Sequence, residues 1–79
     1  MTKEEKIKHY ATAKRATAGT ISQLIDGNFK TYWVGKLRGM VVSYAGKNYK
    51  FDTKEKALEC ARSFRQSCID EANSKGIAL

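Results

Sequence analysis

Residues 39–61, "GMVVSYAGKNYKFDTKEKALECA", change their apolar period partway along. The stretch opens with every second residue apolar and ends with apolar residues three and four apart. A period of two marks a strand with one buried face, and a period near 3.6 marks a helix with one buried stripe. A chain that passes directly from one to the other must lay that helix on that sheet. The switch therefore predicts an α+β fold in two layers.

The helical half is well marked. Ala57, Ala61, Phe64, Cys68 and Ala72 form a stripe, with Leu58 and Ile69 beside it. The helix is expected to begin at Thr53, with Asp52 as its N-cap and Glu55 three residues on. Ser74-Lys75-Gly76-Ile77 reads as a Schellman ending, with Gly76 left-handed and Ile77 folding back.

The sheet half predicts a three-stranded antiparallel meander. "KTYWVGKL" (30–37), "MVVSYA" (40–45) and "NYKFD" (48–52) are its expected strands, turning at Arg38-Gly39 and Gly46-Lys47. Two-residue turns at both places assign consistent faces. Thr31, Trp33, Gly35, Leu37, Met40, Val42, Tyr44, Tyr49 and Phe51 share the face turned to the helix, with Trp33 opposite Tyr44 and Val42 opposite Phe51. Tyr32, Val34, Lys36, Val41, Ser43, Asn48 and Lys50 share the open face, with Arg38 and Lys47 at the turn tips. A bulge at Gly39 would shift this register by one.

Upstream, Thr2 and Glu5 make a capping box. Ile7, Tyr10 and Ala11 follow helical spacing, so residues 3–17 are expected to be helical. Residues 18–28, "AGTISQLIDGN", carry two signals. Thr20 with Gln23 is a second capping box, with Asp26-Gly27 ending a short helix. The same Asp26-Gly27 is a strong type I′ hairpin signal, with "TISQLI" a strand entering it. The short helix is preferred. The order is then helix, short helix, three strands and helix in one domain.

Composition narrows the function. Fifteen basic and eight acidic residues leave a net charge of +7 on 79 residues, which favours a polyanionic partner. No apolar run reaches membrane-spanning length, no signal peptide opens the chain, and no membrane role is expected. Cys60 and Cys68 fall on one helix, about 12 Å apart in rise, beyond disulfide reach. Free thiols suit a cytoplasmic location. His9, the single histidine, has no carboxylate or cysteine at ligand spacing. There is no CxxC, HExxH, GxSxG or glycine-rich phosphate loop. Neither catalysis nor a metal or other cofactor is expected.

The open face then becomes the candidate site. Tyr32, Lys36, Arg38, Ser43, Lys47, Asn48 and Lys50 combine cations, hydrogen-bonding groups and one flat ring. Lysine and arginine neutralise phosphates, asparagine and arginine read base edges, and a β-ribbon fits the DNA major groove. A solvated sheet face kept from aggregating by its lysines would carry a similar set.

"GKNYKFDTKEKALECA" resembles the end of an AP2-type or tyrosine-integrase amino-terminal DNA-binding domain. Phe51, Asp52, Thr53, Glu55 and Ala57 match its "F-D-T-x-E-x-A". The resemblance, over residues 32–66, implies three antiparallel strands on a C-terminal helix. It also implies a sheet laid in the major groove, with Lys36, Arg38, Ser43 and Lys50 touching DNA. The order αβββα is also similar to a double-stranded-RNA-binding domain, though without its "GPxH" loop. A winged helix would use 29–37 as its recognition helix, against the β-favouring Thr-Tyr-Trp-Val.

DNA is thus the first expected partner and RNA the second, in a chain of phage or mobile-element type. The competing class is a small phage-encoded inhibitor. It would block a host or defence protein or trap a nucleotide, and would use the open face or a homodimer through the N-terminal helix.

Overall fold

The structure, a computed structural model, describes residues 1–43 and 49–79. Helix α1 spans Lys3–Ala11, β1 Ala16–Ile25, β2 Asn28–Leu37, β3 Met40–Val41 and α2 Lys54–Lys75. The three strands form an antiparallel sheet in the order β1-β2-β3. α2 lies on one face of it and α1 packs on α2. The expected α+β fold, with a helix at each end of a three-stranded meander, is the observed one, but its first strand is not the expected one.

The short helix expected within residues 18–28 is a strand. β1 pairs with all of β2, from Ala16 opposite Leu37 to Ile25 opposite Asn28. Asp26 and Gly27 turn the chain with φ of 50° and 79°, the two positive values a type I′ turn requires. A Thr20–Gln23 capping box satisfies two backbone groups at most. Ten paired residues on a matching strand outweigh it.

α1 ends at Ala11, not at residue 17. Thr12 closes it, and its hydroxyl donates to the Lys8 carbonyl at 2.7 Å. Beyond it, Arg65 of α2 donates to the carbonyls of Ala13 and Lys14 at 3.4 and 3.3 Å. Those carbonyls are thereby tied to a distant helix, and the chain is free to enter β1. At the other end Glu5 N–H donates to Thr2 Oγ1 at 3.1 Å, as the capping box predicts.

The second turn is also type I′, with φ of 51° at Arg38 and 78° at Gly39. Leu37 faces Met40 and Lys36 faces Val41, so no bulge shifts the register. β3 is only two residues long, not six. Val42 adds one bond to Gly35 at 3.0 Å, and Ser43 lies outside the strand. Phe51 does not pair with Val42 across a third hairpin. It returns to β2, where its N–H and carbonyl each bond Trp33 at 2.8 Å. Residues 49–52 are therefore not a separate strand outside β3, and Asn48 lies outside the described residues. The turn at Gly46-Lys47 and the pairing of Tyr44 lie outside the described residues.

The core sits between α1, α2 and the body end of the hairpin. Ile7, Tyr10, Ala11, Ala13, Leu37, Val42, Ala61, Cys68 and Ala72 form one buried cluster. Tyr10 meets Phe64 edge to face at 5.2 Å. A Cβ on Gly35 would lie 2.4 Å from the Ala57 carbonyl oxygen, so only glycine lets α2 approach this closely. α2 is capped by Thr53, which accepts from Lys56 N–H, not by Asp52. Asp52 instead pairs with Lys56 at 3.2 Å. The helix ends as the Schellman pattern predicts, with Gly76 left-handed and Ile77 N–H on the Ala72 carbonyl at 2.8 Å.

Beyond the body the hairpin continues as an arm. The molecule measures 49 × 23 × 19 Å, and Leu24 and Phe29 are 64% and 79% exposed near the arm's tip.

Candidate nucleic-acid interface

Gly35 points at α2, so alternation places Thr31, Trp33 and Leu37 on that side. Lys30, Tyr32, Val34 and Lys36 lie on the other. The paired residues of β1 follow: Thr17, Gly19, Ile21, Gln23 and Ile25 share the face with Lys30–Lys36. Val41, opposite Lys36, joins them. None of these residues is acidic.

Tyr32 organises this face. The Lys30 ammonium stands 5.3 Å from its ring centroid and the Lys50 ammonium 5.5 Å. Lys50 also stands 5.4 Å from the Tyr49 ring and donates to Gln23 Oε1 at 2.8 Å. Such cation–π contacts contribute about 0.5–1 kcal/mol each at exposed sites. They hold two like charges on one ring. Lys36 lies further toward the body. Its side chain crosses β1 over Gly19, where an added Cβ would meet its Cε and Nζ at 3.1 Å. The ion pairs among the described residues, Asp52–Lys56 and Glu71–Lys75, involve neither Lys30 nor Lys36.

A second cationic group sits at the body end of the hairpin. Lys14, Arg15, Thr17 and Arg38 line an open hollow of about 330 Å³. Arg38 is exposed on its turn and donates to Thr12 Oγ1 at 3.1 Å. The charge is unevenly placed along the chain. Residues 13–51 hold seven of the 15 basic residues and a single acidic one, Asp26. Elsewhere acids and bases are interleaved. The Lys56 ammonium bonded to Asp52 holds that carboxyl below its usual range, and Lys75 does the same for Glu71.

The expected site residues divide accordingly. Tyr32, Lys36 and Lys50 are brought onto one face, and Arg38 stands at the turn beside it. Val34, expected on the open face, does lie on that side but is fully buried. Ser43 is half-buried and lies beyond the end of β3. Lys47 and Asn48 lie outside the described residues. Among those expected to face the helix, Met40 and Tyr49 are exposed.

Two contributors were missed. Lys30 precedes Tyr32 by two residues, so strand alternation alone could have placed it on this face. Gln23 was hidden by the helical reading of its segment. Asp26-Gly27 was the signal that would have placed it opposite Lys30.

His9 is half-buried on α1, edge to face with Tyr10 at 5.3 Å. Cys60 and Cys68 are free thiols, and burial pushes the Cys68 thiol up. Among the described residues no cluster of His, Cys, Asp or Glu could hold a metal ion, and no helix is long and apolar enough to cross a membrane. Comparison with known proteins finds no matching family model, curated protein or solved structure.

Proposed function

We propose that this chain binds nucleic acid, duplex DNA first, through the sheet face turned away from α2. The observation that carries the reading is the grouping of Lys30 and Lys50 on the Tyr32 ring, with Lys36 alongside, on a face without a carboxylate. Cations held close together repel one another, and a phosphate backbone running over them relieves that repulsion while releasing condensed counterions. Gln23, Asn28 and Thr17 on the same face supply hydrogen-bonding groups for sugar or base edges. Arg38, Lys14 and Arg15 extend the cationic surface beyond the body end of the hairpin.

The test is fluorescence anisotropy with labelled duplex at two or more salt concentrations. Affinity should fall steeply as salt rises. Lys30→Glu with Lys36→Glu should weaken binding at least about tenfold and reduce the logarithmic salt slope by about 2, one unit per lost phosphate contact. Unchanged affinity in the double variant overturns the assignment of this face. Tight, salt-insensitive binding to a protein with none to duplex would favour the inhibitor reading instead, for which the exposed apolar tip at Leu24 and Phe29 is the supporting feature.

A further inference from the structure

β1 is an edge strand that lacks the usual protection. It lies outermost in the order β1-β2-β3, and among the described residues no other strand runs along its far side. An edge exposes a row of N–H and carbonyl groups that can template another strand. Folded proteins normally blunt it with a charge, a proline, a bulge or short length. β1 carries none of these on its own residues; the side chain of Lys36, from β2, lies over Gly19. Its ten residues, ATAGTISQLI, contain no charge and no proline, and all ten pair with β2 in unbroken succession.

The charges at its two ends differ in sign. Lys14 and Arg15 precede β1, and Asp26 follows it as the single acid between Glu5 and Asp52. A strand that is neutral along its length, cationic before it and anionic after it is complementary to its own antiparallel copy. The rest of the chain is cationic overall and would repel a second copy.

We infer that two copies of this chain pair antiparallel along β1, joining their sheets into one of six strands. Pairing centred on Thr20 or Ile21 keeps like faces together. It lays Leu24 and Ile25 of each copy beside Ala16–Ala18 of the other. It also brings Asp26 of each copy to Lys14 and Arg15 of the other. The exposed tip of each arm then rests against a neighbouring body, along about 33 Å of shared strand. The two-fold axis runs through the sheet, so both copies of α2 lie on one side. The two Lys30–Tyr32–Lys36 faces lie together on the opposite side. The pairing needs no ligand and stands independently of nucleic-acid binding.

Light scattering on the full chain tests it, with twice 8.9 kDa expected at micromolar concentrations. Thr20→Lys with Ser22→Lys, both at exposed positions, should return the mass to that of one chain while the circular dichroism spectrum is retained. A charge exchange guards against misfolding of that variant. Asp26→Lys alone and Lys14→Glu with Arg15→Glu alone should each weaken the dimer, and mixing the two variants should restore it as a heterodimer. A wild-type chain that stays monomeric overturns the proposal. So does a dimer untouched by the β1 lysines, or a mixture that shows no recovery.

Discussion

The two ends of β2 carry similar residues and meet opposite fates. At the body end, Leu37 is fully buried and Gly35 touches the backbone of α2. Eight residues earlier on the same face, Phe29 is 79% exposed. Alternation puts Phe29, Trp33 and Leu37 on one side of the ribbon. It does not decide whether anything lies on that side. α2 covers only the body end, where Gly35, Ala57 and Ala61 let the layers close. Past Trp33 the hairpin continues without it, and its uncharged face reaches solvent. Periodicity therefore reports orientation, and the neighbouring layer decides burial.

Substitutions along the hairpin can break this contrast. The largest effect is expected at Gly35. Gly35→Ala sets a methyl group against the Ala57 carbonyl, which cannot rotate away as a side chain would. The expected cost is about 3 kcal/mol, the upper part of the usual range for overpacking. For a domain of this size the melting temperature should fall by more than about 10 °C. A change under about 3 °C would mean that α2 does not hold the sheet as described.

Next comes a matched pair. Leu37→Ala should cost about 3 kcal/mol, because it empties a fully buried site. Phe29→Ala should stay within about 0.5 kcal/mol in the isolated chain, despite the larger side chain. Equal losses in urea unfolding would show that the arm tip is covered after all.

The smallest effect is expected at Arg38. A residue with a Cβ held at φ 51° carries a steric cost of about 1–2 kcal/mol, which asparagine bears more easily. Arg38→Asn should raise the melting temperature by about 2–5 °C after losing the bond to Thr12. A fall would show that this bond outweighs the strained turn.

Reading the fold from the sequence succeeded where the signals were local. Thr2–Glu5, Gly76–Ile77 and the Ala57–Ala72 stripe are each confined to one turn or one helix. All three appear as expected. It misjudged Thr20–Asp26, where a capping box and a hairpin turn compete within seven residues. The deciding partner, Asn28–Leu37, acts through pairing that no local window contains. The end of α1 depends in the same way on Arg65, about fifty residues away. Phe51 was expected to turn inward, and it shares the face of Trp33, but through β2 and not through a third hairpin.

The candidate site divides along the same line. Tyr32 and Lys36 were placed together by alternation within one strand, a property of the chain itself. Gln23 and the crossing of Lys36 over Gly19 depend on β1 lying beside β2, and so belong to the tertiary fold. The sequence by itself determined which way each side chain of β2 points and where α2 ends, because both follow from backbone geometry over a few residues. Only the tertiary structure decided that residues 16–25 are a strand, that Val34 is buried and Phe29 is not, and that β1 is left as an edge. Those outcomes depend on which distant segments are available to pair and to cover.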